Sequence, residues 1–177
     1  MATKDLTLNN NGSWSIDGLD IPQCNALTAM LYAFRHHTKP SIREEMFWQI
    51  ADVLWNNDRD KPLCVRHKWA DRTVKACCRE KYLALGGSAG SGKSYTLAAF
   101  SIVEWLCAPS ETLILVTSTT LQAAKTRIWG AIMKLLDAVD GLPIKIRDSI
   151  GSAAYVTPEG TILETAGLRL VAAEKSQ

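Results

Sequence analysis

The chain has 177 residues, 47% of them hydrophobic and 21% charged, with a formal net charge of +2. That apolar content excludes a disordered chain and suits a core of about one domain. The small net charge does not by itself imply a nucleic-acid partner. No run of about 18 uncharged apolar residues occurs, so no membrane-spanning helix is expected. The first residues, MATKDLTLNNNGSWSIDG, lack an apolar signal-like run. Five cysteines, an odd number, fit a reducing cytosol better than a disulfide framework.

Residues 1–20 are polar and rich in Asn, Asp and Gly, and are expected to form a loosely ordered arm. A helical period begins at Ile21: Leu27, Met30, Leu31 and Phe34 recur at i, i+3, i+4 and i+7, with Pro22 suited to a first turn. The stretch from His36 to Pro40 should end that helix. Ser41 and Glu44 have the spacing of a capping box for a second helix, whose apolar face is Ile42, Met46, Ile50, Val53 and Leu54. Residues 56–62 form a polar loop.

A third helix is expected over 65–80. Seven Lys/Arg and two acids lie from Lys61 to Lys81, and Lys68, Arg72, Lys75 and Arg79 share one helical face. Such a stripe is ordinarily a solvated face; the sharper alternative is contact with phosphate or a partner. Residues 61–80 also hold Cys64, His67, Cys77 and Cys78. Their spacing suits zinc poorly, because adjacent cysteines rarely chelate one tetrahedral metal, and small packed thiols account for them more simply.

From residue 82 the pattern changes. Tyr82, Leu83, Ala84 and Leu85 form a short apolar run, consistent with a buried strand. Residues 86–94 are a small-residue loop, and 93–107 read as a helix apolar nearly all round, hence buried. Residues 112–116 suit a buried parallel strand. Thr119 and Gln122 form a second capping box for a helix running to about 139. Further strands are expected at 144–146, 154–156, 161–164 and 168–172, with Pro158, Glu159 and Gly160 forming a hairpin turn.

One motif carries chemistry. Gly87, Ser88, Ala89, Gly90, Ser91, Gly92, Lys93 and Ser94 match GxxxxGK[ST] in full, between an expected strand and an expected helix. Glycines let the main chain approach a ligand closely, so its N–H groups can form an anion nest. The following helix offers the positive end of its dipole. Lys93 supplies a full charge for the β- and γ-phosphates of ATP, and the Ser94 hydroxyl suits Mg²⁺. Tyr95, next along, completes the candidate ATP-binding set.

Hydrolysis needs an acid at the end of another buried strand. Leu113 to Val116 lead into Thr117, not an acid; Asp137 sits in a helical pattern; Glu164 is a weak candidate. No Walker B segment stands out, and the chain is expected to be the N-terminal piece of a longer ATPase. The expected fold is α/β, a P-loop NTPase of the additional-strand type. It has a mostly parallel sheet behind a helical N-terminal layer: an arm at 1–20, a helical region at 21–80 and a partial ATPase core at 81–177.

The stretches LALGGSAGSGKSYTLAAF, LILVTSTTLQAAKTRIWGAIMKLLDAV and GLRLVAAEKSQ, and TSTTLQAAKTRIWG above all, resemble the N-terminal ATPase region of a tailed-phage terminase large subunit. The resemblance covers roughly residues 80–177. It implies an ATP-driven motor, working in the host cytoplasm, that moves double-stranded DNA through a portal into a prohead. Portal protein, small terminase subunit and further copies in a ring would be its partners. Terminases often carry an arginine inside the loop, absent here; Arg79 and Arg127 are the candidates to replace it. An upstream glutamine often contacts adenine, for which Gln23 and Gln49 are candidates. Without a Walker B acid, the piece alone is expected to hydrolyse little ATP. Two other classes remain open: another P-loop translocase or helicase-like ATPase, and a non-catalytic truncated prophage product.

Overall fold

Helices, a small antiparallel sheet and a four-stranded mixed sheet build an α/β chain that divides into two units, Met1–Lys93 and Ser94–Gln177. The computed structural model describes residues 7–9, 14–16, 19–21, 25–57, 59–87, 90–118 and 120–172. Gln23, Pro22, Thr119, Ser88 and Ala89, all singled out in the sequence, lie outside the described residues. No helix among the described residues is long and apolar enough to cross a membrane.

The first unit opens with a small antiparallel meander, β1 (Thr7–Leu8), β2 (Trp14–Ile16) and β3 (Leu19–Ile21), where a loose arm and then a helix start were expected. Ile16 and Ile21 are buried, so apolar residues anchor this otherwise polar stretch. Helix α1 (Ala26–His36) starts after Asn25, whose Oδ1 accepts from the Thr28 N–H at 2.9 Å. Helix α2 (Pro40–Ala51) does not use the Ser41 capping box. Pro40 takes the first turn itself, where its missing N–H would be unpaired anyway, and Lys39 precedes it without a side-chain cap.

Ile42, Met46 and Ile50 face the core as expected, but Val53 is 44% exposed. The reason is a π-helical turn, Asp52–Asn56, closed by the Asn57 N–H to the Asp52 carbonyl at 2.7 Å. The wider turn delays the next inward position to Trp55, which is fully buried. The Asn56 side chain then pairs with both the N–H and C=O of Cys64, at 2.9 Å each, and fastens the polar loop. Helix α3 (Lys68–Arg79) buries Ala70, Thr73, Val74 and Cys78 and leaves the basic stripe in solvent. Arg43 of α2 joins the three helices. Its Nε donates to the Phe34 carbonyl at 2.9 Å and its Nη1 to the Cys78 carbonyl at 3.2 Å, satisfying acceptors at two helix ends.

In the second unit, α4 (Lys93–Leu106) buries Ala98, Ala99, Ile102, Val103 and Trp105. The sheet has the order β4 (Leu113–Ser118), β7 (Ile162–Ala172), β6 (Ser152–Val156), β5 (Ile144–Arg147). It is mixed, not mostly parallel: β4 and β7 run parallel, whereas β5–β6 and β6–β7 are antiparallel. The tight turns at 148–151 and 157–161 force those reversals, and only the long connection between β4 and β7 leaves room for a parallel crossover. The turn at Pro158, Glu159 and Gly160 forms as expected, with the Gly160 N–H bonded to the Thr157 carbonyl at 2.9 Å.

The two strands expected at 161–164 and 168–172 are one strand, β7, which bends past β6 at a register shift beside Ala154 and Tyr155. Gly167 sits there with φ 126°, and a Cβ at this position would overlap the Ala153 carbonyl.

Between β4 and β5 the expected helix forms as one continuous helical stretch over 121–136, with a π turn inside it. Helix α5 (Leu121–Ala124) leads into a π turn, Lys125–Trp129, and then α6 (Gly130–Leu136). The described cap is Thr120, whose Oγ1 accepts from the Ala123 N–H at 3.1 Å. The π turn carries Trp129 inward, where its indole N–H donates to Asp148 at 2.8 Å.

Candidate functional site

The glycine loop belongs to the first unit. The strand expected before it is not formed: residues 83–87 are irregular, Tyr82 is 85% exposed and Leu83 is 39% exposed. Four apolar residues make a strand only when a neighbour takes their backbone N–H and C=O groups. Residues 82–85 pair with no strand in the sheets described. The helix after the loop does form, and it starts at Lys93 as the motif requires.

Within the loop, Lys93 turns back over its start. The amine donates to Ser91 Oγ at 2.8 Å and lies 3.4 Å from where a Gly87 Cβ would stand. An added Cβ at 87 would meet the amine at ordinary contact distance, so space alone does not require glycine there. Gly92 lies against His67: a Cβ at 92 would be 3.4 Å from the imidazole Nε2. His67 is also the N-cap of α3, its Nδ1 accepting from the Ala70 N–H at 3.4 Å. The imidazole thus links the start of α3 to the loop, rather than joining a metal set. Gly90 lies at the exposed turn of the loop; Ser94 is exposed on the first turn of α4, and Tyr95 is half-buried beside it.

Loop and helix enclose a cavity of about 210 Å³. Gly86, Gly87, Ser91 and Lys93 form one wall, and Trp69, Arg72 and Thr73 of α3, with Leu85, form the rest. Two cations line it and no carboxylate does, among the described residues. Pockets that enclose whole small molecules are usually about 300–1,000 Å³. This one suits the charged end of a ligand.

The other sequence candidates fall elsewhere. Gln49 lies on α2, its amide donating to Glu45 at 3.3 Å, and does not line the cavity. Arg79 ends α3 and does not line it either. Arg127 is exposed on the π turn of the second unit. Glu164 sits inside β7, 2.6 Å from Arg147 and 3.1 Å from Arg169, so its charge is already engaged. In the sequence Arg72 was one of four members of a basic stripe, ordinarily a solvated face with phosphate or partner contact as the alternative, and nothing singled it out.

Among the described residues, no three His, Cys, Asp or Glu side chains stand close enough to hold a metal. The Ser94 hydroxyl is a hard oxygen ligand of the kind Mg²⁺ takes alongside phosphate oxygens. Burial, and then the Asp52 carboxylate, push the Cys64 thiol from 9.0 up to about 12. Because the folded value lies above the unfolded one, the neutral thiol favours folding fully below about pH 9. That contribution fades as pH rises towards 12. Replacing Cys64 with Ala should therefore shrink the fall in melting temperature between about pH 8 and pH 10.5. A thermal melt at both values checks this, and an unchanged fall in the variant counts against it.

Comparison with family models, with curated proteins and with solved structures returned no match for this chain.

Proposed function

We propose that the chain binds the triphosphate of ATP through residues 87–94, as the nucleotide-binding part of a DNA-packaging motor of the terminase large-subunit type. One observation carries the first half: Lys93, at the first position of α4, bends back across a glycine loop into a cavity lined, among the described residues, by two cations and no carboxylate. Such a concavity attracts polyphosphate, because fixed cations and a helix start act on the same anion. The amine of Lys93 neutralises the terminal phosphate oxygens. The Ser94 hydroxyl is the Mg²⁺ ligand that the motif provides, and Mg²⁺ would add charge neutralisation and alignment of the phosphates.

Support for the second half is the resemblance of residues 80–177, with TSTTLQAAKTRIWG its most specific stretch. On this reading the fold is that of a P-loop NTPase of the additional-strand type. The working partners are double-stranded DNA, portal protein, the small terminase subunit and further copies in a ring.

The test is a melting shift. At a hundredfold excess over Kd, a ligand stabilises the native state by about 2.7 kcal/mol, which raises the melting temperature by several degrees. Mg-ATP should produce that rise, and AMP should not. Equal melts with and without ATP overturn the assignment. The engagement of Glu164 by two arginines favours a second reading, a nucleotide-binding module without turnover. A melting shift with no phosphate release selects it.

A further inference from the structure

We propose that Arg72 is a second cation for the same phosphate tail, held in aim by Trp69. The inference rests on the assignment of the glycine loop to a triphosphate and deepens it.

Four basic residues share the exposed face of α3, yet only Arg72 lines the cavity with Lys93; Lys68, Lys75 and Arg79 do not. Both side chains border one small concavity, so an anion bound there would meet two positive charges. The Arg72 guanidinium lies 4.9 Å from the centre of the Trp69 ring, three residues earlier on the same helix. That cation–π contact narrows the orientations open to a long side chain, so less freedom is lost when an anion arrives. The helix beneath is fixed as well. Thr73 is buried, and its hydroxyl donates to the Trp69 carbonyl at 3.0 Å.

The planar guanidinium fork suits two phosphate oxygens at once, where an ammonium offers a point charge. The cavity, at about 210 Å³, is smaller than pockets that hold whole small molecules, and its two cations fit the phosphate end of the ligand. It also accounts for an exposed tryptophan: Trp69 is 55% exposed and has a task there, to orient the arginine.

Calorimetric titration of the full chain with inorganic tripolyphosphate, and then with ATP, at one ionic strength tests this. Arg72→Ala should weaken both ligands about tenfold and to the same degree, since the lost contact is to phosphate. Arg72→Lys should recover part of the loss and Trp69→Ala should lose about threefold. Lys75→Ala, on the same stripe but off the cavity, should change binding less than about twofold. An Arg72→Ala effect no larger than that of Lys75→Ala overturns the proposal while the loop assignment stands. So does an effect confined to ATP, which would make Arg72 a base contact. A folded wild-type chain that binds neither ligand overturns the loop assignment, and this proposal with it.

Discussion

Lys93→Ala should lower affinity for ATP and for tripolyphosphate by roughly 30- to 150-fold, the equivalent of about 2–3 kcal/mol for a charge-assisted contact to phosphate. The side chain is only half-buried, so its removal should leave the fold intact. Far-ultraviolet circular dichroism of the variant should match the parent while the ATP-induced rise in melting temperature disappears. A Lys93→Ala chain that keeps its full ATP response excludes residues 87–94 as the phosphate site. In a longer parent enzyme the same change should abolish turnover, because the amine acts on the oxygens where charge develops during phosphoryl transfer.

Gly167→Ala should strongly destabilise the second unit. Its φ of 126° belongs to a region that residues with a side chain rarely adopt, and the added Cβ would run into the Ala153 carbonyl. Residue 167 also lies between two strands: it stands opposite Leu113 of β4 and Ala154 of β6. Backbone strain and steric overlap together cost about 3 kcal/mol. For a unit of this size, that lowers the melting temperature by about 10–20 °C. Gly141→Ala is the control, since it has a left-handed φ of 74° but nothing within 4 Å of the new atom. It should lose only about 1 kcal/mol. A Gly167→Ala melt within two degrees of the control means that β6 and β7 do not approach as described.

Several elements were legible because their signal is local. The 3.6-residue spacing of Met30 and Phe34, and of Met46 and Ile50, marks inward faces wherever the helices pack. The hairpin at Pro158, Glu159 and Gly160 follows from the turn chemistry of those residues. The helix that begins at Lys93 was legible too.

Other features escaped for physical reasons. The π turns at 52–56 and 125–129 place Trp55 and Trp129 inward, and no period of 3.6 anticipates an extra residue in a turn. Residues 82–85 have the composition of a strand, but a strand exists only in company, and composition does not report the neighbour. Arg72 looked like Lys68, Lys75 and Arg79 because a helical wheel shows which residues share a face, not what lies opposite one of them.

By itself the amino-acid order determined which stretches coil, which turn and where a lysine follows a glycine loop, since each depends on neighbours within a few residues. Tertiary structure alone decided that β6 runs against β7, that Gly167 must lack a side chain, and that Arg72 and Lys93 face one cavity. Those outcomes depend on groups far apart along the chain, brought together only when burial and backbone pairing are satisfied throughout a unit.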